Sequence, residues 1–356
     1  MTFFSVQNIH ICLGDFSLQD VSLGIDRGDY LSVIGHTGAG KSILLESISG
    51  FYRPPKGRIF LEGRDISHVR PEKRHFGIVY QDYALLPHFT VAENIAYGLK
   101  KIQKKGVQAK VNEMAASLKI DHLLHRKPDT LSGGEQQRTA LARSLVVEPK
   151  LLLMDEPFSA LDPVTSQNMR LLLKKVIQNQ QTTVIHVTHN MDDVWSLANK
   201  VAVLHKGKLL QCGTKDTVFQ KPICQLVADF VETSLLEGVV VEHNEHTCMI
   251  RLHGFDVLSQ DMAQQGAKVK VALRPEDIAI SRERLSHNHT NVLEARIRDV
   301  VPRGVMSTLI LEIGDILLPV HSTSSTLNHI HPCVQDRVFA CIGYDAVRIV
   351  SENHLN

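Results

Sequence analysis

The sequence predicts an α/β domain over residues 1–232, followed by an all-β domain over residues 233–356. Short apolar runs recur along the first part, which is typical of buried parallel strands separated by helices. A glycine-rich stretch, GHTGAGKS, directly follows the first of these runs. After residue 232 the helical pattern gives way to short strands with frequent turns, which favours one or two small barrels.

Four apolar runs predict the buried strands of the α/β domain. They are YLSVIG (30–35), FGIVYQ (76–81), LLLMDE (151–156) and TTVIHVTH (182–189). Residues 1 to about 30 alternate in polarity and predict antiparallel strands. Residues 201–213 predict a hairpin that turns at Lys206–Gly207. A helical subdomain is expected over about 88–150, between the second and third runs.

The composition favours a folded, reduced protein and gives no reason to expect nucleic acid as a partner. The chain has 356 residues, a net charge of +1 and 43% hydrophobic residues. Its six cysteines are scattered without a C-x-x-C pair, so free thiols are expected rather than a disulfide or zinc framework. The start, MTFFSVQNIH, lacks the basic and apolar regions typical of a signal peptide. Residues 316–335 contain no Asp, Glu, Lys or Arg but are too polar to span a bilayer.

The stretch GHTGAGKS predicts a phosphate-binding loop. It fits G-x-x-x-x-G-K-[ST] between a predicted strand and a predicted helix, which is the context that this motif requires. We expect backbone N–H groups to surround a β-phosphate, Lys41 to reach the β- and γ-phosphates, and the Ser42 hydroxyl to bind Mg²⁺. The alternative is a chance glycine-rich turn. The predicted binding residues are Gly35, His36, Thr37, Gly38, Ala39, Gly40, Lys41 and Ser42.

Polar residues end the other three runs, and the carboxyl ends of parallel strands meet in one crevice. Asp155 is predicted to serve Mg²⁺, and Glu156 to polarise an attacking water, because buried carboxylates are costly without such a use. Gln81 is expected to contact both Mg²⁺ and the attacking water. His189 is expected to bond a γ-phosphate oxygen, with His186 as a rival for that role. The alternative is that these are ordinary solvated residues at strand ends.

A second anion-binding segment is predicted at LSGGE, residues 131–135. Ser132 and Glu135 have the spacing of a helix capping box, which would explain those two residues by itself. The box does not explain Gly133 and Gly134, since glycine is a poor helix former. Exposed backbone at a helix N-terminus suits the close approach of an anion. If this segment and the phosphate loop bind one nucleotide, we expect the segment to come from a second copy of the chain.

Residues 1 to about 230 resemble the ATP-binding subunit of ABC transporters. GHTGAGKS, VYQDYALLPH, LSGGEQQRTALARSLVVEPKLLLMDEP, SALD and VTH match the motifs of that family in order and spacing. The resemblance implies a P-loop ABC-type ATPase domain, with a RecA-like core, a helical subdomain and an antiparallel β subdomain. It implies ATP and Mg²⁺ as cofactors and a head-to-tail homodimer. Each ATP would lie between one phosphate loop and the partner's Ser132–Glu135, and Asp162 of SALD would contact across the interface.

The same resemblance implies partners and a location. The groove around residues 81–98 is expected to receive a cytoplasmic helix of a membrane permease, and an extracytoplasmic solute-binding protein would act indirectly. The chain would lie on the cytoplasmic face of the cell membrane as a peripheral subunit. Members of the family stack an aromatic ring on adenine, for which Phe16 is the candidate here and Leu13 the other nearby position. Where relatives commonly have Pro or Ser, this loop has His36.

Residues 233–356 resemble the OB-like (TOBE-like) regulatory domain of importer ATPases, on ALRPEDIAIS and NVLEARIRDVV. The whole chain is most similar to ATPases for molybdate or tungstate uptake, while sulfate, ferric-iron and polyamine importers share most motifs. A soluble ABC ATPase without a membrane partner and a non-hydrolysing sensor are the rival functions. The β domain is expected to stabilise the dimer or to sense an oxyanion, with residues 321–325 and Arg303 as candidate donors.

Overall fold

The structure is a computed structural model that describes residues 2–102, 105–284, 289–304 and 306–350. Contacts divide the chain into two compact units, Met1–Lys215 and Asp216–Asn356. The boundary expected after residue 232 concerns folding domains and stays a prediction. Within the described ranges, every helix is too short or too polar to cross a bilayer.

A six-stranded sheet forms the centre of the first unit. Its strands are β3 (Tyr30–Ile34), β6 (Phe76–Val79), β7 (Leu151–Asp155), β8 (Thr183–Val187), β9 (Lys200–His205) and β10 (Lys208–Thr214), in the spatial order β10-β9-β3-β8-β7-β6. All are parallel except β10, which forms the predicted hairpin with β9. The four apolar runs therefore became neighbouring strands. Every residue of β3 and β8 is buried, as expected for strands covered on both faces.

A four-stranded antiparallel sheet packs on one face of this core. Its strands are β1 (Phe4–Leu13), β2 (Phe16–Ile25), β4 (Lys56–Leu61) and β5 (Arg64–Asp65), in the order β2-β1-β4-β5. Its buried residues share one apolar cluster with Leu31 and Val33 of β3, Leu153 of β7 and Ile185 of β8. Because side chains alternate along a strand, residues 30, 32, 184 and 186 point to the opposite face.

Among the residues of the first unit that the structure describes, six helices connect the strands. They are α1 (Lys41–Ser49), α2 (Val91–Ile102), α3 (Val107–Ser117), α4 (Gly133–Leu145), α5 (Pro163–Gln180) and α6 (Met191–Leu197). Short 3₁₀ turns lie at Pro71–Lys73, Asp121–Leu123 and Pro128–Thr130. α1 follows β3 directly, which is the strand–loop–helix arrangement that the phosphate-loop motif requires.

The second unit is mostly antiparallel β structure, as predicted. α7 (Lys215–Gln220) begins at the last residue of the first unit and is followed by α8 (Gln225–Phe230). In the described part of the second unit, ten strands follow, with α9 (Ser324–Ile330) among them. One sheet, in the order β13-β12-β11-β14-β20, comprises Asp256–Ser259, Cys248–Arg251, Ser234–His243, Lys268–Leu273 and Arg348–Val350. The other, β15-β19-β16-β17-β18, comprises Ile278–Ser281, Arg337–Gly343, Thr290–Arg303, Met306–Ile313 and Ile316–Thr323. The two sheets share one apolar core.

Candidate functional site

The loop between β3 and α1 is shaped by its glycines. A Cβ at Gly35 would lie 2.2 Å from the carbonyl oxygen of Leu204, and one at Gly40 would lie 2.4 Å from the Phe16 ring. Gly40 also has a φ of 99° and is the N-cap of α1. Because this cap has no side chain to accept hydrogen bonds, the first N–H groups of α1 remain directed toward a ligand. The backbone therefore fits the phosphate-binding role.

The other loop residues differ in exposure. His36, Thr37 and Gly38 are exposed, while Ala39 is buried. The buried ammonium of Lys41 donates to the carbonyl oxygens of Gly35 at 2.8 Å and His36 at 3.2 Å. Burial lowers the pKa of Lys41, and the nearby carboxylates of Glu156 and Asp155 act in the opposite direction. The lysine thus lies within electrostatic reach of both predicted acids.

Ser42 and Asp155, two of the predicted Mg²⁺ ligands, lie near each other. Burial raises the pKa of Asp155, with a further increase from Glu156. The Ser42 hydroxyl and the charge of Lys41 lower the same pKa. A hydroxyl and a half-buried carboxylate are the hard oxygen donors that Mg²⁺ prefers, and bound Mg²⁺ would offset the cost of burying the charge. These residues therefore fit the metal.

Glu156 and His189 meet at the ends of β7 and β8. Glu156 Oε1 lies 2.9 Å from His189 Nδ1. Glu156 has a φ of 43°, a conformation that is strained for a residue with a side chain. Its backbone is held there, because its N–H donates to the Val187 carbonyl at 2.9 Å and its own carbonyl accepts from Ser159. Strain of this kind occurs at functional sites, where the surrounding bonds over-determine it.

Burial separates His189 from its rival. The His189 side chain is 61% exposed, whereas that of His186 is fully buried. The His186 Nδ1 lies 3.0 Å from the Tyr30 hydroxyl, and burial lowers the pKa of His186 to about 4. Of these two histidines, His189 is therefore the one that a ligand at the strand ends can reach.

Gln81 is exposed just beyond the end of β6. Since β6 pairs with β7 and Val79 lies opposite Met154, Gln81 leaves the sheet at the same edge as Asp155 and Glu156. Tyr83 and Ala84 follow in left-handed conformations, with φ values of 61° and 43°. The strand ends therefore place Gln81 at the crevice.

The capping box predicted at the start of α4 is present. The Ser132 N–H and hydroxyl donate to Glu135 Oε2 at 2.8 and 2.9 Å, and the Glu135 N–H donates to the Ser132 hydroxyl at 3.4 Å. These bonds explain Ser132 and Glu135 within one chain, and the backbone bond lowers the pKa of Glu135. They do not explain Gly133, where an added Cβ would meet nothing closer than a Leu161 methyl at 4.0 Å. At Gly134 the same atom would lie 3.1 Å from Thr165 Cγ2.

Comparisons with known proteins agree with this geometry. A profile of the family described as ABC transporter matches residues 18–159. The molybdate/tungstate import ATP-binding protein WtpC of Pyrococcus horikoshii is 40% identical over 97% of this chain and 99% of its own length. The chain belongs to the ATP-binding subunits of ABC transporters. It is therefore an ATP-binding protein of a class that hydrolyses ATP.

One more relative and one solved structure also resemble this chain. The spermidine/putrescine import ATP-binding protein PotA of Protochlamydia amoebophila is 36% identical over 87% of this chain and 85% of its own. A solved structure, cbiO1 of Clostridium perfringens, is described as part of the ABC transporter complex cbiONQ. It aligns with a TM-score of 0.57 and 28% identity, over 61% of this chain and 90% of that one. The fold of the ABC ATPase domain is thus shared.

Phe16 and Asp162 are the two remaining residues for which the resemblance to the ABC family implies a role. Phe16 pairs with Leu13 across the β1–β2 hairpin, and its ring lies against the backbone of Gly40. The ring therefore borders the phosphate loop, and its stacking on adenine stays a prediction. Asp162 is exposed and caps α5 by accepting from the Thr165 N–H at 3.0 Å. Hydrogen bonds from the Thr165 side chain and backbone lower the pKa of Asp162, and the interface role of its carboxylate stays a prediction.

The candidate donors of the β domain have local uses. Ser322 is buried, and Thr323 caps α9 by accepting from the Thr326 N–H at 3.3 Å. His321 Nε2 lies 3.9 Å from Glu232 Oε2. The side chain of Arg303 lies outside the described residues. The sensor role therefore stays a prediction.

Two contacts of α4 were missed by sequence reasoning. The buried Gln137 amide donates to the Pro157 carbonyl at 2.7 Å, directly after Glu156. Arg143 donates to the carbonyls of Tyr83 and Ala84 at 2.9 and 2.6 Å. In the sequence, each of these two residues is a polar residue on or beside the apolar face of a predicted helix. Such a position indicates that the side chain has a buried partner, but it does not identify a partner that is distant in the chain.

Proposed function

We propose that this chain is the ATP-hydrolysing subunit of an importer for molybdate or tungstate. The single observation that carries the substrate is the 40% identity to WtpC over nearly the full length of both proteins. A polyamine is the second candidate substrate, because PotA is 36% identical.

In the proposed reaction, Glu156 accepts the proton of the water that attacks the γ-phosphate, and His189 donates to a phosphate oxygen. The contact between Glu156 and His189 supports a role for both side chains at the same γ-phosphate. Lys41 and the N–H groups of residues 38–42 hold the phosphates and stabilise charge that develops on them. Ser42, Asp155 and Gln81 would hold Mg²⁺, which neutralises phosphate oxygens when bound.

The proposed unit is a head-to-tail homodimer. Gly133 supports it, because nothing within the described chain requires a glycine there. A phosphate that approaches the start of α4 from a second copy would require one. ATP binds the closed dimer better than ADP and phosphate do, so this difference in binding drives opening and closing.

The proposed partners are integral permease subunits on the cytoplasmic face of the membrane, with an extracytoplasmic solute-binding protein upstream. The segment 81–98 supports a docking role, since Phe89 and Tyr97 are large apolar side chains exposed beside each other, with ring centroids 6.0 Å apart. Exposed aromatic residues are typical of protein interfaces.

Glu156→Gln tests the reaction. This variant of the full-length chain should bind ATP with unchanged affinity and form a stable dimer with ATP, while kcat falls by about 10²-fold or more. Glu72→Gln, which changes an exposed carboxylate outside the site, should behave as wild type. Wild-type turnover in Glu156→Gln would overturn the assignment of the base.

The transported substrate needs a separate measurement. ATP-dependent uptake by the transporter assembled in vesicles should saturate with molybdate or tungstate, and an excess of sulfate or spermidine should compete poorly. Uptake of spermidine but not of molybdate or tungstate would replace the proposed substrate and leave the ATPase assignment intact.

A further inference from the structure

A buried polar cluster lies beside Glu156 and His189, and the proposed reaction does not use it. It consists of Asp193 on α6, Arg170 on α5 and Thr188 at the end of β8, and we call it the brace. Asp193 is 2% exposed and Arg170 is 6% exposed. Arg170 Nε donates to Asp193 Oδ1 at 2.6 Å, and the Thr188 hydroxyl donates to Asp193 Oδ2 at 2.6 Å. Both carboxylate oxygens therefore have a donor in the interior.

The brace is bonded to the backbone on both sides of His189. The Thr188 hydroxyl oxygen accepts from the N–H of Asn190 at 3.0 Å. The N–H of Asp193 donates to the carbonyl of Asn190 at 3.2 Å. On the sheet side, the N–H of Thr188 donates to the carbonyl of Val33 at 3.2 Å. The residues before and after His189 are thus tied through Asp193 to α6 and directly to β3.

His189 itself has little packing to hold it. Its side chain is 61% exposed, and its Nδ1 lies 2.9 Å from Glu156 Oε1. The direction of such a side chain depends mainly on the backbone that carries it, because no surrounding core selects its rotamer. The conformation of residues 188–190, and hence the brace, therefore sets where the imidazole points.

The brace also reaches the segment that carries Glu156. The Arg170 guanidinium lies 5.8 Å from the centroid of the Phe158 ring, two residues after Glu156. The edge of the buried His186 ring packs on Phe158, with centroids 5.8 Å apart. The His186 Nε2 lies 3.8 Å from Asp193 Oδ2, which is too long for a hydrogen bond but places the ring beside the brace. The segment after Glu156 thus contacts Arg170 and His186, two residues that lie next to Asp193.

We propose that Asp193, held by Arg170 and Thr188, is a positioning residue that aligns His189 with Glu156 for ATP hydrolysis. This inference rests on the proposed function. A buried ion pair is seldom the most stable way to fill a core, since apolar residues of similar volume are often as good or better. The pair between Arg170 and Asp193 orients the adjacent residues 188–190, which apolar side chains in its place could not do.

Thr188→Val tests the proposal with the smallest change, because it removes the hydroxyl and keeps the shape. In the full-length chain, kcat should fall by about tenfold to a hundredfold, as expected when a catalytic group is displaced by up to about 1 Å. The KM for ATP and the affinity for a fluorescent ATP analogue should change by less than about twofold, since the Thr188 hydroxyl bonds Asp193 and Asn190 and is not one of the predicted ATP-binding groups. Thr188→Ser keeps the hydroxyl and should restore kcat to near the wild-type value.

Thermal unfolding of each variant shows whether it is folded, and Asp193→Asn gives a second, independent disruption, because its amide would face the Arg170 guanidinium. A folded Thr188→Val protein with wild-type kcat would overturn the proposal. So would an equal loss of kcat and ATP affinity in Thr188→Val and Thr188→Ser, which would indicate a merely structural role. If either of these outcomes is found while the wild-type chain hydrolyses ATP and His189→Ala does not, the positioning role of Asp193 is wrong and the proposed function stands. If the wild-type chain lacks ATPase activity, the proposed function fails first.

Discussion

Gly133→Ala should separate stability from activity. Within the described chain, the new methyl group would meet nothing closer than Leu161 Cδ2 at 4.0 Å. Gly133 is the first residue of α4, and its φ lies outside the left-handed region. Alanine is therefore tolerated there and lowers the conformational entropy of the unfolded chain. We expect the free energy of unfolding to rise by about 0.5 kcal/mol, the low end of the range for Gly→Ala in a helix.

The same methyl group should damage catalysis. It would stand where the proposed dimer brings a γ-phosphate against the N–H groups at the start of α4. The loss of one preorganised donor to a developing negative charge costs about 10²-fold in rate, or ~3 kcal/mol. We therefore expect kcat/KM for ATP to fall by about 10²-fold while the unfolding midpoint without nucleotide rises by about 1–2 °C.

The assay compares ATP hydrolysis, ATP-dependent dimer formation in the Glu156→Gln background, and thermal unfolding. Gly134→Ala is the matched variant, because its Cβ would lie 3.1 Å from Thr165 Cγ2 and should lower stability. Adding Thr165→Ser removes that methyl group and should restore the stability of Gly134→Ala. A Gly133→Ala protein that keeps wild-type kcat/KM and dimerises normally would refute the argument that a phosphate approaches this glycine.

Two predictions concern stability alone. Arg74→Met should lower the free energy of unfolding by about 2–4 kcal/mol, since the buried guanidinium donates to carbonyls at the end of α1, including Ile48 at 2.6 Å. Urea unfolding measures this, and the exposed Arg58→Met is the control; a change below about 1 kcal/mol would contradict it. Because the pKa of His186 is lowered to about 4 from 6.5, the unfolded chain binds a proton first as the pH falls. The free energy of unfolding should therefore be highest above pH 6.5 and should decrease by about 3 kcal/mol as the pH falls to 4. Tyr30→Phe should keep this dependence and Tyr30→Phe/His186→Phe should lose it; equal pH profiles would exclude His186 as its source.

Patterns that act within a few residues were read correctly from the sequence. The apolar run at 30–35 became β3, and the hairpin turns at Lys206–Gly207 as predicted. The capping box at Ser132 and Glu135 formed because its bonds join residues three apart. The family motifs then predicted the ABC ATPase fold, since each motif is a short combination of loop and strand or helix end.

The partners of buried polar groups could not be predicted in this way. Arg170 and Asp193 are 23 residues apart, and Arg143 is 60 residues from Tyr83. Each pair meets only because a helix packs on a particular face of the sheet. The pattern at the end of β8 likewise left both His186 and His189 as candidates. Burial of one and exposure of the other separated them.

The sequence by itself predicted the phosphate-loop motif, the buried strand runs and the capping box that starts α4. These follow from backbone geometry and side-chain type over short spans, where few conformations compete. The tertiary structure alone decided which histidine faces the crevice, that Glu156 contacts it, and which buried charge stands behind it. Those outcomes depend on the packing of distant segments into a low-dielectric interior, where a polar group must find its partner wherever the fold brings one.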